Sequence, residues 1–264
     1  MKNSYIICLV LVIILLNQAC YTRKEGCQEV LAENYDVTSD DPCDDCCIFP
    51  KLQLQITHMA GDSTFSTTDT LVNDMQQKYR ILDIRYYLSS FVLHNTKTGN
   101  NQIIETISNA DKTITLPDDM KIVRYTDPLI TAGSIKDAGT FDQLSFTLGL
   151  KDTILNTVFA NLTEGHVLSE LNKLKNTAGD QAHISIKIER LITTPDTLNF
   201  NLTGYGTSVN FTIDSTLTTP KGINTVFSVK TDYAMLFKNI NFNLSSDSIE
   251  MSLKQNFKKI LIVK

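Results

Sequence analysis

Basic residues are few and dispersed. Against 29 Asp and Glu there are 24 Lys and Arg, giving a net charge of -5 with no dense Lys/Arg cluster. Nucleic acid is thereby excluded as an expected partner, because phosphates demand a basic face. Histidine is scarcer still, with four in 264 residues. The chain has no His-Glu-x-x-His pair, Gly-x-Ser-x-Gly elbow, phosphate-cradling glycine loop or dinucleotide fingerprint, so no enzyme is expected. No apolar run reaches the roughly 20 residues that a membrane-spanning helix needs.

What is present is the composition of a globular protein, 42% hydrophobic and 20% charged, and long enough to bury one main core. Residues 1–19 read as a targeting segment: Lys2 supplies the charge, Ile6 to Leu16 the apolar run, and Ala19 the small residue before Cys20. The ending Leu16-Asn17-Gln18-Ala19-Cys20 resembles a bacterial lipoprotein signal, although Asn17 and Gln18 depart from the usual leucine and small residue. It implies a lipidated Cys20 that holds the chain on a membrane, with the outer membrane of a bacterial envelope as the expected place. The bland alternative is a cysteine near an ordinary cleavage site.

Residues 20–50 form a tether and a cysteine-rich acidic module. Cys27, Cys43, Cys46 and Cys47 are threaded with Asp36, Asp40, Asp41, Asp44 and Asp45. An exported chain meets an oxidising compartment, so two disulfides are expected. Adjacent Cys46 and Cys47 are poor partners for each other, and each should reach back to Cys27 or Cys43, which leaves two connectivities. Thiolates could instead hold zinc, but no second well-spaced ligand pair accompanies them. Calcium on the aspartates would need the EF-hand spacing, which is absent. The order Cys27-x4-Ala32-x-Asn34-Tyr35-Asp36 also resembles a small "C-x4-A-x-NYD" module of bacterial surface proteins, shortened here before Cys43.

The remainder, residues 51–264, reads as one mainly β domain: an antiparallel β-sandwich with two short helices inserted, over residues 153–161 and 167–177. Strict alternation makes residues 51–58 a half-buried strand with His58 on its apolar face. Residues 81–94 form the most continuous strand, with Tyr86, Leu88, Val92 and His94 expected on one face and Tyr87, Phe91 and Leu93 on the other. Further strands are expected at 184–188, 198–202, 209–213, 225–229, 235–242, 249–253 and 260–263. Asn161, Asn201, Asn210 and Asn243 begin Asn-x-Ser/Thr triplets, to which no function is assigned.

Arg85-Tyr86-Tyr87-Leu88-Ser89, with Phe91, Leu93 and Gly99, resembles the "RYYLSN" strand of the bacterial copper-binding MbnP-like domain family. Gly139-Thr140-Phe141-Asp142-Gln143-Leu144-Ser145-Phe146-Thr147-Leu148-Gly149-Leu150 is similar to that family's later "G-x-Y-x-x-I-x-F-x-I-G-V" strand. The resemblance, joined by residues 184–189, covers roughly residues 51–204. It implies copper held by imidazoles and, in some members, by an oxidised tryptophan. This chain has no tryptophan, and Asn201 stands where the family's "F-x-H-x-G" histidine would fall. His58 is the residue that could carry a family ligand over, and His94 its natural second ligand at a strand end, with Met59 or Asp62 as a further donor. Two functions are thus expected to compete: copper binding at a reduced or rearranged site, or a non-catalytic surface module. The second would bind a protein or glycan partner through loops such as 62–70 or 203–210.

Overall fold

The computed structural model describes residues 21–43, 45–95, 97, 100–103, 107–108, 115–116, 120–136, 139–155, 162 and 165–262. The targeting segment with Cys20, Asp44, Gly99 and the end of the first expected helix at Asn161 lie outside them.

Alternation over the first strand holds: β1 (Lys51–Ala60) buries Leu52, Leu54 and Ile56 on one face. The strands that follow are β2 (Lys78–Asn95), β3 (Lys121–Arg124), β4 (Leu129–Ser134), β5 (Gly139–Leu148), β6 (Ala182–Arg190), β7 (Asp196–Thr203), β8 (Val209–Thr219), β9 (Thr225–Asp232) and β10 (Leu261–Ile262). One sheet has the order β7-β6-β2-β5-β8, with β3 and the short strands Leu71–Val72 and Asn100–Ile103 also paired to β2. The second runs β4-β1-β9-β10, with Ser63–Thr64 on β1. Apolar side chains of both sheets share one core, which makes the molecule a β-sandwich. Among the described residues, the ladders of the two sandwich sheets are antiparallel except β1 with β9, which run parallel.

The long strand does not keep one parity. Ser90 has φ +60° and the ladder with β5 shifts register opposite it, so one extra residue sits in β2. Tyr86 and Leu88 therefore share the core with Phe91 and Leu93, whereas Val92 and His94 turn to the other face. Tyr87 enters a smaller cluster with Met120, Leu150, Leu168 and Leu174. The expected grouping of Val92 and His94 with Tyr86 is corrected by that bulge.

Among the described residues there are two α-helices, placed differently from the sequence reading. Only one turn, α1 (Asp152–Leu155), forms in the first expected segment among the described residues. Residues 167–177 are successive turns whose Leu168 and Leu174 plug the smaller cluster. The second helix is α2 (Ser246–Phe257), where a strand was expected. The alternation Ile249-Met251-Leu253 suggested the strand. The stronger period is Ile249, Leu253 and Phe257, all buried, while Met251 is exposed. Ser245 caps it by accepting the Ser248 N–H at 3.4 Å, and Asp247 suits the positive end of its dipole. Likewise Tyr233–Phe237 is a 3-10 turn rather than a strand, started by Asp232, whose carboxylate accepts the Ala234 N–H at 3.0 Å.

Ahead of the sandwich, Cys27 bonds Cys47 and Cys43 bonds Cys46, one of the two expected connectivities. Three of the module aspartates are engaged locally. Asp36 accepts from Lys24 Nζ at 2.6 Å and from the Thr38 hydroxyl at 2.6 Å, which holds its carboxyl down at about 2. Asp40 accepts the Lys24 N–H at 2.9 Å, and Asp41 pairs with Arg23. The module touches the sandwich where the Gly222 N–H donates to the Leu31 carbonyl at 3.3 Å.

Candidate functional site

His58 stands near the end of β1 on its core face and is 9% exposed. Its Nε2 lies 2.9 Å from the Asp127 carbonyl, which can only accept, so Nε2 carries the proton. Nδ1 then accepts the Tyr233 hydroxyl at 2.6 Å. The Tyr86 hydroxyl, bonded to Thr231 Oγ1 at 2.9 Å, extends this chain across the core. Burial pushes the His58 pKa down and those of Tyr86 and Tyr233 up, so a neutral imidazole sits among neutral phenols. Phe65 closes the pocket edge-on to Tyr233 at 4.9 Å between ring centres.

His94 is not beside it. It belongs to the other sheet and faces away from the core, bonded through Nε2 to Ser145 Oγ at 2.6 Å. Tyr86 reaches the His58 network, and His94 lies eight residues farther along β2, a separation of roughly 20–25 Å at strand rise. Asn201 also fails to join His58. It pairs with Ser185, while its neighbour Leu202 points into the core, so alternation directs Asn201 outward. Among the described residues, the one grouping of three His, Cys, Asp or Glu donors within reach of a common ion is Cys43, Cys46 and Cys47, all tied in disulfides.

His183, at the start of β6, is fully buried. It sits where β2 exchanges partners, from β6 up to Tyr86 to β5 from Leu88. At this fork the Gly149 N–H donates to the Tyr87 carbonyl at 2.7 Å, and Ser89 Oγ donates to the Gly149 carbonyl at 2.8 Å. His183 Nδ1 accepts the Leu150 N–H at 3.1 Å, and Nε2–H donates to the Gly204 carbonyl at 3.0 Å. Burial lowers its pKa too. Gly149 has φ +97°, and a Cβ there would lie 2.8 Å from His183 Nδ1, so only glycine fits. The sequence signal was this glycine after the Phe-x-Leu alternation of β5. His166, in the turns after α1, is also buried, and its Nδ1 accepts the Leu168 N–H at 3.1 Å.

On the outward face beside this fork, β2, β5 and β8 form the floor of a cleft of about 320 Å³. Its lining is mostly hydroxyl, amide and imidazole, with Val92 and Phe146 its apolar members and Lys151 at one end. Thr147 Oγ1 donates to Asn210 Oδ1 at 2.8 Å, and Gln143 Nε2 donates to Asp214 Oδ1 at 2.8 Å.

The profile of the MbnP family matches residues 50–252, from the start of β1 into α2. Among solved structures, MbnP from Methylosinus trichosporium is similar at 12% identity with a TM-score of 0.46, covering 70% of this chain and 76% of that one. No curated protein matches.

Proposed function

From a chain that belongs to the MbnP family over residues 50–252, we propose a non-catalytic, lipid-anchored module of the bacterial envelope. In this reading it binds a protein or glycan partner through its sandwich surface and does not hold copper on histidines. The anchor is Cys20, and the outer membrane is its place.

The observation that carries this reading is the state of His58. Copper is the metal associated with the family, and it would bring a Lewis-acidic, redox-active centre to any member that binds it. Imidazole suits it as a ligand. The donor set around His58 does not fit. Both of its ring nitrogens already serve the fold, and His94 lies in the other sheet. Freeing Nδ1 for a metal would take from the buried Tyr233 hydroxyl its imidazole acceptor, at about 1 kcal/mol or more. Tryptophan is absent as well.

Titrating metal-free protein with Cu(I) and Cu(II), alongside His58→Ala, tests this. Neither protein is expected to bind copper tightly. Tight binding by the unsubstituted protein that disappears in His58→Ala would restore the copper reading.

A further inference from the structure

We propose that the outward cleft over β2, β5 and β8 is a binding site for a short acidic saccharide, the polyol lying on the sheet and its carboxylate meeting Lys151. This rests on the surface-module reading and names its ligand class.

The cleft is built by register. His94 stands beside Gln143, which stands beside Asp214; Val92 lies beside Ser145 and Thr212; Thr147 lies beside Asn210. Neighbouring strands are about 4.8 Å apart and same-face residues about 6.8 Å along each strand. The result is a pavement of hydroxyl, amide and imidazole groups that donate and accept, interrupted by Val92 and flanked by the Asp214 carboxylate that holds Gln143, at steps comparable to one pyranose ring. Sugar hydroxyls also both donate and accept, so amides, hydroxyls and an imidazole match them without demanding charge. The cleft volume lies at the lower end of small-ligand sites.

Other occupants fit less well. A peptide binding by strand addition would pair along the open edge of β8, beside the floor and not on it, because β5, the middle strand of the floor, is paired on both sides. Peptide anchoring by side chains needs apolar pockets, yet of the lining only Val92 and the buried Phe146 are apolar. A divalent cation needs several carboxylates, and none lines the cleft. Phosphate favours arginine forks or clustered cations, whereas the lining offers one lysine. A single exposed ammonium at one end suits one carboxylate on an otherwise neutral polyol.

The walls are also held in place. His183 ties the Leu150 N–H, next to Lys151, to the Gly204 carbonyl, at the start of the loop leading to Asn210. The Gly206 N–H bonds Asp152 at 3.4 Å across the same gap. A cleft fixed by the fold need not be ordered when its ligand arrives.

Isothermal titration of the detergent-purified full chain with cellobiuronate, which has a single carboxylate, and with cellobiose as its neutral counterpart, tests the assignment. Cellobiuronate is expected to bind, and cellobiose about tenfold more weakly, as befits one charge-assisted hydrogen bond. Exposed Lys151→Ala, which leaves the core untouched, should equalise the two sugars. Asn210→Ala, checked for an unchanged melting transition, should weaken both. Failure of both sugars to bind, or binding indifferent to Lys151→Ala and Asn210→Ala, overturns the proposal. Copper binding through His58 would overturn the copper-free reading above and leave the sugar result standing, so the two failures are separable.

Discussion

Two buried imidazoles carry the pH response. His183 accepts the Leu150 N–H through Nδ1, and His58 accepts the Tyr233 hydroxyl through its own, so neither can protonate without losing a buried acceptor. Both pKa values are accordingly lowered from 6.5, chiefly by burial. In the range between the lowered value and 6.5 the unfolded chain binds more protons than the folded one, so stability rises with pH there. It is complete above about 6.5 and is lost as pH falls through the folded pKa. The melting temperature should thus decline between about pH 7 and 5, above the range in which carboxylates such as Asp36 titrate. His183→Gln keeps an acceptor and a donor in place but does not titrate, so it should flatten part of that decline. An unchanged slope in the variant would show that His183 stays uncoupled. None of this was legible from His183 in the sequence, where alternation groups it with Gln181, Ser185 and Lys187 and so hides a fully buried position.

Among the elements, regular strands could be read and interruptions of regularity could not. β1 follows from alternation alone, and β2 from its uninterrupted run of strand formers. The Ser90 bulge reversed the second half of β2 because nothing in a serine announces a positive φ. That single residue is why His94 faces the cleft and not the core. Helix α2 was hidden because its four-residue period and a two-residue period share Ile249 and Leu253. The cysteine module was legible as two staples, and the structure supplies which cysteines join. In the chain-entropy account, the Cys27–Cys47 bond, with a separation of 20, contributes about 3 kcal/mol, and Cys43–Cys46, with a separation of 3, about 2 kcal/mol. Reduction by dithiothreitol should therefore speed amide exchange over residues 21–48. The protection of β1, β2 and β5 should be unchanged, because their core contains none of these cysteines. Loss of protection in β2 on reduction would mean that module and sandwich unfold together.

At the scale of the whole molecule, anchoring and assembly both concern the order in which the chain is handled. The proposed anchor predicts that Cys20→Ala moves the protein from the membrane fraction to the soluble one. A soluble unsubstituted protein, or an unmodified Cys20 found by mass spectrometry at the mature terminus, would rule the anchor out. Assembly has its own sequence, set by the parallel pairing of β1 with β9, in which Leu52 meets Thr225 and Met59 meets Asp232. A ladder between segments so distant in the chain closes slowly, since the loop entropy is spent before any contact rewards it. On a chain emerging amino end first, β1 must wait, its Leu52, Leu54 and Ile56 uncovered on one side, until β9 has arrived. The sheet of β2, β5 and β6 can form meanwhile. That waiting period is when the new chain most needs a chaperone, and a ribosome stalled before residue 225 would leave it permanently adhesive.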